Sequence, residues 1–479
     1  MTRPLLLMPL LAACAVEPDR MVLRSPGGSG GSGGDTGTCA VHGFGDRVDW
    51  PLPATGVSLR GLTDLTCSGP DDELHVVADL TGDRAPDLIR ISDCERASGV
   101  GSAHWWVHEN VGDGFAADPL PWPLPALSEP YPFQRWSDSF CDADVDHLFA
   151  VRDLTGDHRP DLVLLSDCDP ASELGRSEWW VYENRGDGFA SAPVVWAAPS
   201  DVGDEEWGSL EQVDCRGGTR DLYGLHDLDG DDAPELVRFA GCLESGDFDY
   251  NGTWTVWRNQ GDGFASAPEV WTLPTDAPGR WDGIEGQNCK GEEDHLYVTR
   301  DLTGDGVLDL VVSSFCDTDP RWDERWWVYP GTGAGFEAPV DWPIPEHRAP
   351  GAWQYLLGRD CVTPTDSKGG LIDLDGDALP DLVRYGPCGG TTVPRTWTFH
   401  RNLGDGFAPG EQAWWLPDDT EPMTWATGRD PLCDTPEDRL LVIEDLNGDQ
   451  LPDVVETYGC SVDSAVGASV WQVRPGGCR

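Results

Sequence analysis

Six times the chain repeats a nine-residue pattern with Asp at positions one and five, Gly at four and an acid at nine. The copies begin at Asp79, Asp153, Asp227, Asp301, Asp373 and Asp445, and read DLTGDRAPD, DLTGDHRPD, DLDGDDAPE, DLTGDGVLD, DLDGDALPD and DLNGDQLPD. They start 74, 74, 74, 72 and 72 residues apart. Self-similarity at a fixed long period predicts a solenoid, an array or a propeller, one supersecondary unit per repeat.

Each copy also reads as a cation loop. Oxygen side chains at positions one, three, five and nine of a tight turn can converge on a hard cation, and Ca²⁺ takes six to eight oxygens. The expected ligands are Asp79, Thr81, Asp83 and Asp87 in loop 1, and Asp153, Thr155, Asp157 and Asp161 in loop 2. Loop 3 offers Asp227, Asp229, Asp231 and Glu235, and loop 4 offers Asp301, Thr303, Asp305 and Asp309. Loop 5 has Asp373, Asp375, Asp377 and Asp381, and loop 6 has Asp445, Asn447, Asp449 and Asp453. A backbone carbonyl near position seven and water would complete each shell. Asp and Gly are ordinary turn residues as well; six copies in one register are what favour a metal over six plain turns. Glu235, one methylene longer than the Asp elsewhere, predicts a site of altered reach.

Apolar runs precede and follow each loop, as at 74–80 and 88–91 or at 148–154 and 162–165, and predict a β-hairpin around the turn. A third strand is expected at Trp105-Trp106-Val107, Trp179-Trp180-Val181, Trp254-Thr255-Val256, Trp326-Trp327-Val328 and Trp397-Thr398-Phe399. A Gly-Asp-Gly-Phe turn follows at Gly112, Gly186, Gly261 and Gly404, varied to Gly-Ala-Gly-Phe at Gly333, and then a fourth strand reaching Trp122, Trp196, Trp271, Trp342 or Trp414. Four strands per repeat is a propeller blade. The expected fold is therefore all-β, a six-bladed β-propeller. The last repeat ends after a third strand, Val470-Trp471-Gln472-Val473, and its fourth strand is expected at the opposite end of the chain, around Gly43-Phe44-Gly45 and Trp50.

The cysteines follow the same period. Twelve of the 15 form pairs 27 residues apart: Cys67 with Cys94, Cys141 with Cys168, Cys215 with Cys242, Cys289 with Cys316, Cys361 with Cys388, and Cys433 with Cys460. Each pair brackets one hairpin at the end opposite its Asp-rich turn. Zinc sites use short C-x-x-C clusters, of which there are none. Six intrablade disulfides are expected, each contributing about 3 to 4 kcal/mol in the chain-entropy model. Cys39 and Cys478 flank the proposed closure and form a seventh expected pair. Disulfides imply an oxidising compartment.

The fifteenth cysteine, Cys14, follows a short basic start and an apolar stretch, and Leu11-Ala12-Ala13-Cys14 resembles a bacterial lipoprotein cleavage site. That resemblance implies a signal peptide over 1–13, lipidation of Cys14, and a Gly/Ser-rich tether to residue 38. The repeats occupy 39–479. The expected location is the bacterial outer envelope or cell surface, lipid-anchored, with plain secretion as the alternative. Membrane contact is expected only through that anchor, since the apolar stretch is too short to span a bilayer. The formal charge of −53, from 85 acids against 32 Lys and Arg, excludes nucleic acid as a natural partner.

The D-x-[DNT]-G-D-x-x-x-[DE] turn between two strands, with a Gly-Phe turn in each repeat, resembles the FG-GAP or VCBS repeats of integrin α-type propellers. The resemblance covers about residues 39–479. It implies calcium-stabilised scaffolding and partner binding, and leaves seven blades as an alternative because many relatives have seven.

No residue set in the sequence assembles a recognisable catalytic motif. His104 and His108 flank Trp105-Trp106-Val107 in a predicted strand, where four residues span about 13 Å and preclude a shared metal. The expected function is a non-enzymatic, calcium-stabilised cell-envelope propeller that binds proteins or glycans; the alternative is a secreted polysaccharide hydrolase or lyase using acids at the propeller mouth. The 23 Trp divide the same way. Repetition favours packing between blades, including Trp207, Trp281, Trp353 and Trp425 before the cysteine pairs, while an exposed Trp in a loop would suit sugar stacking.

Overall fold

The computed structural model describes residues 42–54, 58–65, 67, 69, 72–94, 99–127, 133–138, 141, 147–169, 171–199, 207–212, 221–242, 248–249, 252–275, 281, 283–286, 295–315, 325–345, 367–387, 396–416, 439–461 and 464–478. Each repeat folds into the expected meander. Blade 1 pairs Glu73–Ala78, Asp87–Asp93, His104–His108 and Leu120–Pro123 in that order, and blades 2 to 5 repeat the arrangement from Leu148–Arg152, Leu222–His226, His295–Arg300 and Ser367–Ile372 onward. The strands are antiparallel with a one-residue irregularity near the start of each hairpin, as between Leu74 and His75. Short extra strands, Thr63–Asp64 in blade 1 and Glu285–Gly286 in blade 4, extend two of the sheets.

Blade 6 is assembled from both ends of the chain. Arg439–Glu444, Asp453–Gly459 and Val470–Arg474 come from the C-terminal part, and Val48–Pro51 pairs antiparallel with the last of these. Trp50 lies opposite Trp471, the same register that joins Trp105 to Trp122 and Trp397 to Trp414. The ring thus has six four-stranded blades, closed by the N-terminal strand as the repeat pattern predicts. A further junction is not legible in that pattern: His42–Phe44 lies parallel to Gln412–Trp415 of blade 5, and Gly476–Cys478 pairs with its other edge. A β-carbon on Gly43 would stand 2.6 Å from Trp415 O, so only Gly fits there.

The core is built between blades. The Phe of each Gly-Phe turn inserts edge-on between the two paired Trp of the preceding blade. Phe264 of blade 3 meets Trp179 and Trp196 of blade 2 with ring centroids 5.7 and 5.3 Å apart, both near perpendicular. Phe189, Phe336 and Phe407 do the same to blades 1, 3 and 4. The last two wedges close the circle: Phe44 on Trp397 and Trp414, and Phe115 of blade 1 on Trp50 and Trp471 of blade 6. Edge-to-face contact suits the ring quadrupoles and adds to the area buried. Trp207 and Trp281 are buried too, so the packing reading of the Trp holds for them; Trp353 and Trp425 lie outside the described residues.

Disulfides join Cys67 to Cys94 and Cys141 to Cys168, each with Cα atoms 5.7 Å apart. Cys242 and Cys460 are also disulfide-bonded. Their expected partners, Cys215 and Cys433, lie outside the described residues, as do Cys289, Cys316, Cys361, Cys388, Cys39 and the lipidation candidate Cys14. The bridges point to an exported protein.

A candidate cation centre in six loops

The six loops share one local design. Gly at position four has φ between 74° and 81° (Gly82, Gly156, Gly230, Gly304, Gly376, Gly448), the left-handed region that side chains resist. Position six is left-handed as well, with φ 75° at Arg84 and 69° at Asp232. This tight backbone turns its N–H groups inward. In loop 1 the Asp79 carboxylate accepts hydrogen bonds from the N–H groups of Gly82 (2.7 Å), Asp83 (3.2 Å) and Arg84 (2.7 Å), and Asp83 accepts one from Ala85 (2.9 Å). Asp87 accepts from Leu80 and Thr81, both at 3.1 Å, and from Asn110 at 3.0 Å. The acids at positions one, five and nine are therefore part of the turn's own framework, a role the spacing alone does not reveal.

The loops also touch one another in a ring. A β-carbon on Gly156 would meet Ala233 at 3.0 Å, one on Gly304 would meet Leu379 at 2.5 Å, and one on Gly376 would meet Leu451 at 2.9 Å. Gly82 abuts Arg159, Gly230 abuts Gly306, and Gly448 abuts Arg84 and Ala85 of loop 1. Glycine at position four is thus demanded twice, by φ and by the next loop.

An asparagine missed in the sequence reading ties the loops to the blades. Asn184 Nδ2 donates to Leu80 O of the preceding loop (2.9 Å) and to Pro160 O of its own (3.1 Å), while its Oδ1 accepts the Gly186 N–H (2.9 Å). Asn110, Asn259 and Asn402 make the equivalent bonds to Leu446 O, Leu154 O and Leu302 O. The signal was present as Asn two residues before each Gly-Asp-Gly-Phe turn, where Asn reads as a plain turn former.

Oxygen atoms remain over. Thr81 Oγ1, Thr303 Oγ1, Asp229 Oδ1, Asp375 Oδ1 and Glu235 Oε1 are buried without a hydrogen-bond partner, all of them at position three or nine. Glu235 is fully buried; its Oε2 accepts the Leu228 N–H at 2.8 Å and its extra methylene frees Oε1. In loops 3 and 5, oxygens of Asp227, Asp229 and Glu235, and of Asp373, Asp375 and Asp381, lie within 4.8 Å of one another. Among the described residues, the loops with Thr or Asn at position three assemble no such carboxylate triplet.

Burial, reinforced by neighbouring carboxylates, makes these groups lose their protons less readily. Position nine is raised to about 6 at Asp87 and Asp309, about 7 at Asp161 and Asp453, and about 8 at Asp381 and Glu235, although the backbone N–H bonds pull the other way. Orphaned oxygens beside mutually repelling acids are what an oxygen-seeking cation relieves, so the donor set fits Ca²⁺. Loops 3 and 5 carry a partial substitute. Arg258 ion-pairs with Asp229 and Glu269, and Arg401 Nε and Nη2 lie 2.7 and 2.8 Å from Asp375 and Asp377.

No protein-family model matches the chain, and no curated protein does. Solved structures do. Part of a Photorhabdus luminescens Tc holotoxin pore aligns with 91% of this chain at 14% identity and a TM-score of 0.47, and the chain spans 15% of that toxin chain. An Agrocybe aegerita lectin described as recognising non-reducing terminal N-acetylglucosamine aligns over 92% of this chain and 96% of its own, at 18% identity and a TM-score of 0.42.

Proposed function

We propose that this is an exported, calcium-stabilised propeller of the FG-GAP or VCBS type, a non-enzymatic scaffold of the bacterial cell envelope that binds a protein or glycan partner and is held by a lipid on Cys14. The observation that carries the calcium reading is the set of buried, unpartnered oxygens at positions three and nine, above all Glu235 Oε1. The residues that would hold the ion are those at positions one, three, five and nine, and the ion would supply positive charge to acids whose ionisation burial opposes. Its role is structural: the loops touch in a ring and each is bonded into a neighbouring blade or packed on one, so a filled loop stiffens a blade boundary. The acidity that suits these loops argues against nucleic acid and leaves proteins and glycans as partners.

The test is thermal melting of the protein stripped with EDTA and then titrated with Ca²⁺. A ligand bound only by the folded state at 100 times its Kd stabilises by about 2.7 kcal/mol per site, so a marked rise in Tm is expected. Superimposable melting curves with and without Ca²⁺ would refute the calcium reading. Glycan-array binding without turnover supports the partner class, and release of sugar would instead establish an enzyme.

A further inference from the structure

We propose that loops 1, 2, 4 and 6 take their fourth acidic ligand from the neighbouring blade, namely Asp187, Asp262, Asp405 and Asp113 respectively, so that each of these cations is held across a blade boundary. This inference rests on the calcium reading and deepens it by dividing six similar loops into two kinds of site.

The first observation is a complementarity around the ring. Loops 1, 2, 4 and 6 have a neutral residue at position three: Thr81, Thr155, Thr303 and Asn447. The blade that follows each of them carries Asn-x-Gly-Asp in its Gly-Phe turn, at 184–187, 259–262, 402–405 and 110–113. Loops 3 and 5 have Asp229 and Asp375 at position three. The blades that follow these two have Gly331-Thr332-Gly333-Ala334 and Gly476-Gly477-Cys478-Arg479, with neither the Asn nor the Asp. Every loop therefore has one source for a fourth carboxylate, its own third residue or the next blade's turn, and none has both.

The second observation is proximity. The Asn of each turn is bonded to the position-two carbonyl of the loop in question, at 2.9 Å for Leu80, 2.8 Å for Leu154, 3.0 Å for Leu302 and 2.7 Å for Leu446. The turn acid follows that Asn by three residues. A β-carbon on Gly404, next to Asp405, would lie 3.3 Å from Thr303 O, and one on Gly186, next to Asp187, 4.0 Å from Thr81 O, whereas at Gly261 and Gly112 it would meet nothing within 4 Å. At the boundary of loop 3 a β-carbon on Gly333 would lie 3.1 Å from Asp229 Cβ, so the cis carboxylate stands beside the place where the other boundaries put the turn.

The third observation is the unsatisfied oxygen. Thr81 Oγ1 and Thr303 Oγ1 are buried without a partner in the loops that face Asp187 and Asp405, and the fully buried Glu235 leaves Oε1 unpartnered in loop 3. The four turn acids are themselves exposed. Where the carboxylate is in cis, an arginine on the same blade is bonded to it, Arg258 to Asp229 and Arg401 to Asp375. The corresponding residues beside the trans loops are Glu109, Glu183, Pro330 and Pro475, which carry no positive charge.

The test is calorimetric titration of the EDTA-stripped full chain with CaCl₂, comparing wild type, the fourfold variant D113N/D187N/D262N/D405N and the single variant D405N. Asn keeps the turn chemistry while removing the charge. The fourfold variant is expected to keep two sites at wild-type affinity and to bind at the other four at least tenfold more weakly, and D405N is expected to weaken one site. Melting in EDTA should be no lower for the variants than for wild type, since without a cation the turn acids contribute only repulsion to a chain of net charge −53. Isotherms identical to wild type would overturn the trans-ligand assignment and leave the calcium reading standing; absence of Ca²⁺ binding to wild type would defeat the calcium reading itself.

Discussion

The position-nine acids show how one residue can be held in a turn at the expense of its ionisation. Their carboxylates are buried and accept backbone N–H bonds, yet burial wins and lifts Asp161 and Asp453 to about 7 and Asp381 and Glu235 to about 8. In an unfolded chain such groups titrate near 4. Between about pH 4 and pH 8 the cation-free folded state therefore binds more protons than the unfolded state, and its stability falls as pH rises. The general repulsion of a chain of net charge −53 acts in the same direction. In EDTA the Tm should drop from pH 5 to pH 8, and the Asp381→Asn variant should show a shallower drop. With saturating Ca²⁺ the slope should flatten or reverse, because the ion binds the deprotonated form. A Tm in EDTA that climbs from pH 5 to pH 8 would mean that these carboxylates are not held protonated by burial.

At the scale of the element, the Gly-Phe turn is the part whose existence is legible in sequence and whose purpose is not. Its Gly residues and its place between two Trp-bearing strands announce a turn. What the Phe does depends on a blade about 75 residues earlier, and hydrophobic periodicity within one repeat says nothing about that partner. The same limit hid Asn110, Asn184, Asn259 and Asn402, whose bonds cross a blade boundary, and Arg258 and Arg401, whose charge reads as ordinary surface. Strand order, loop positions and the closing strand were legible because each depends on local spacing. Phe264, wedged between Trp179 and Trp196, gives the test of the element: Phe264→Ala leaves a cavity between two blades and should cost about 3 to 5 kcal/mol, read as a lower midpoint in denaturant. Asn259→Ala, at the same boundary, removes three hydrogen bonds and strands the buried acceptor Leu154 O, at a cost of about 1 to 3 kcal/mol. If Phe264→Ala unfolds at the wild-type midpoint, the wedge is not a significant source of stability.

For the whole molecule, everything depends on a ring whose last blade is completed by a strand from the opposite end of the chain. Blades 1 to 5 are each continuous in sequence, but blade 6 gains its outer strand from Val48–Pro51, and two of the six Phe wedges involve residues 44 and 50. Removing residues 1–53 would leave Trp471 without Trp50 opposite it, Phe115 without one of its two rings, and blade 5 without the wedge of Phe44. The edge of Val470–Arg474 would also expose unpaired backbone groups. Tethering makes closure an intramolecular event at high effective concentration, so the shortened chain should melt at a markedly lower temperature and tend to associate through its open edge. A synthetic peptide of residues 42–53 should raise that temperature again in a concentration-dependent way, whereas the same peptide with Phe44→Ala and Trp50→Ala should not. Unchanged melting after the truncation would show that the six-bladed ring is held by its inter-blade packing alone and that the N-terminal strand merely decorates it.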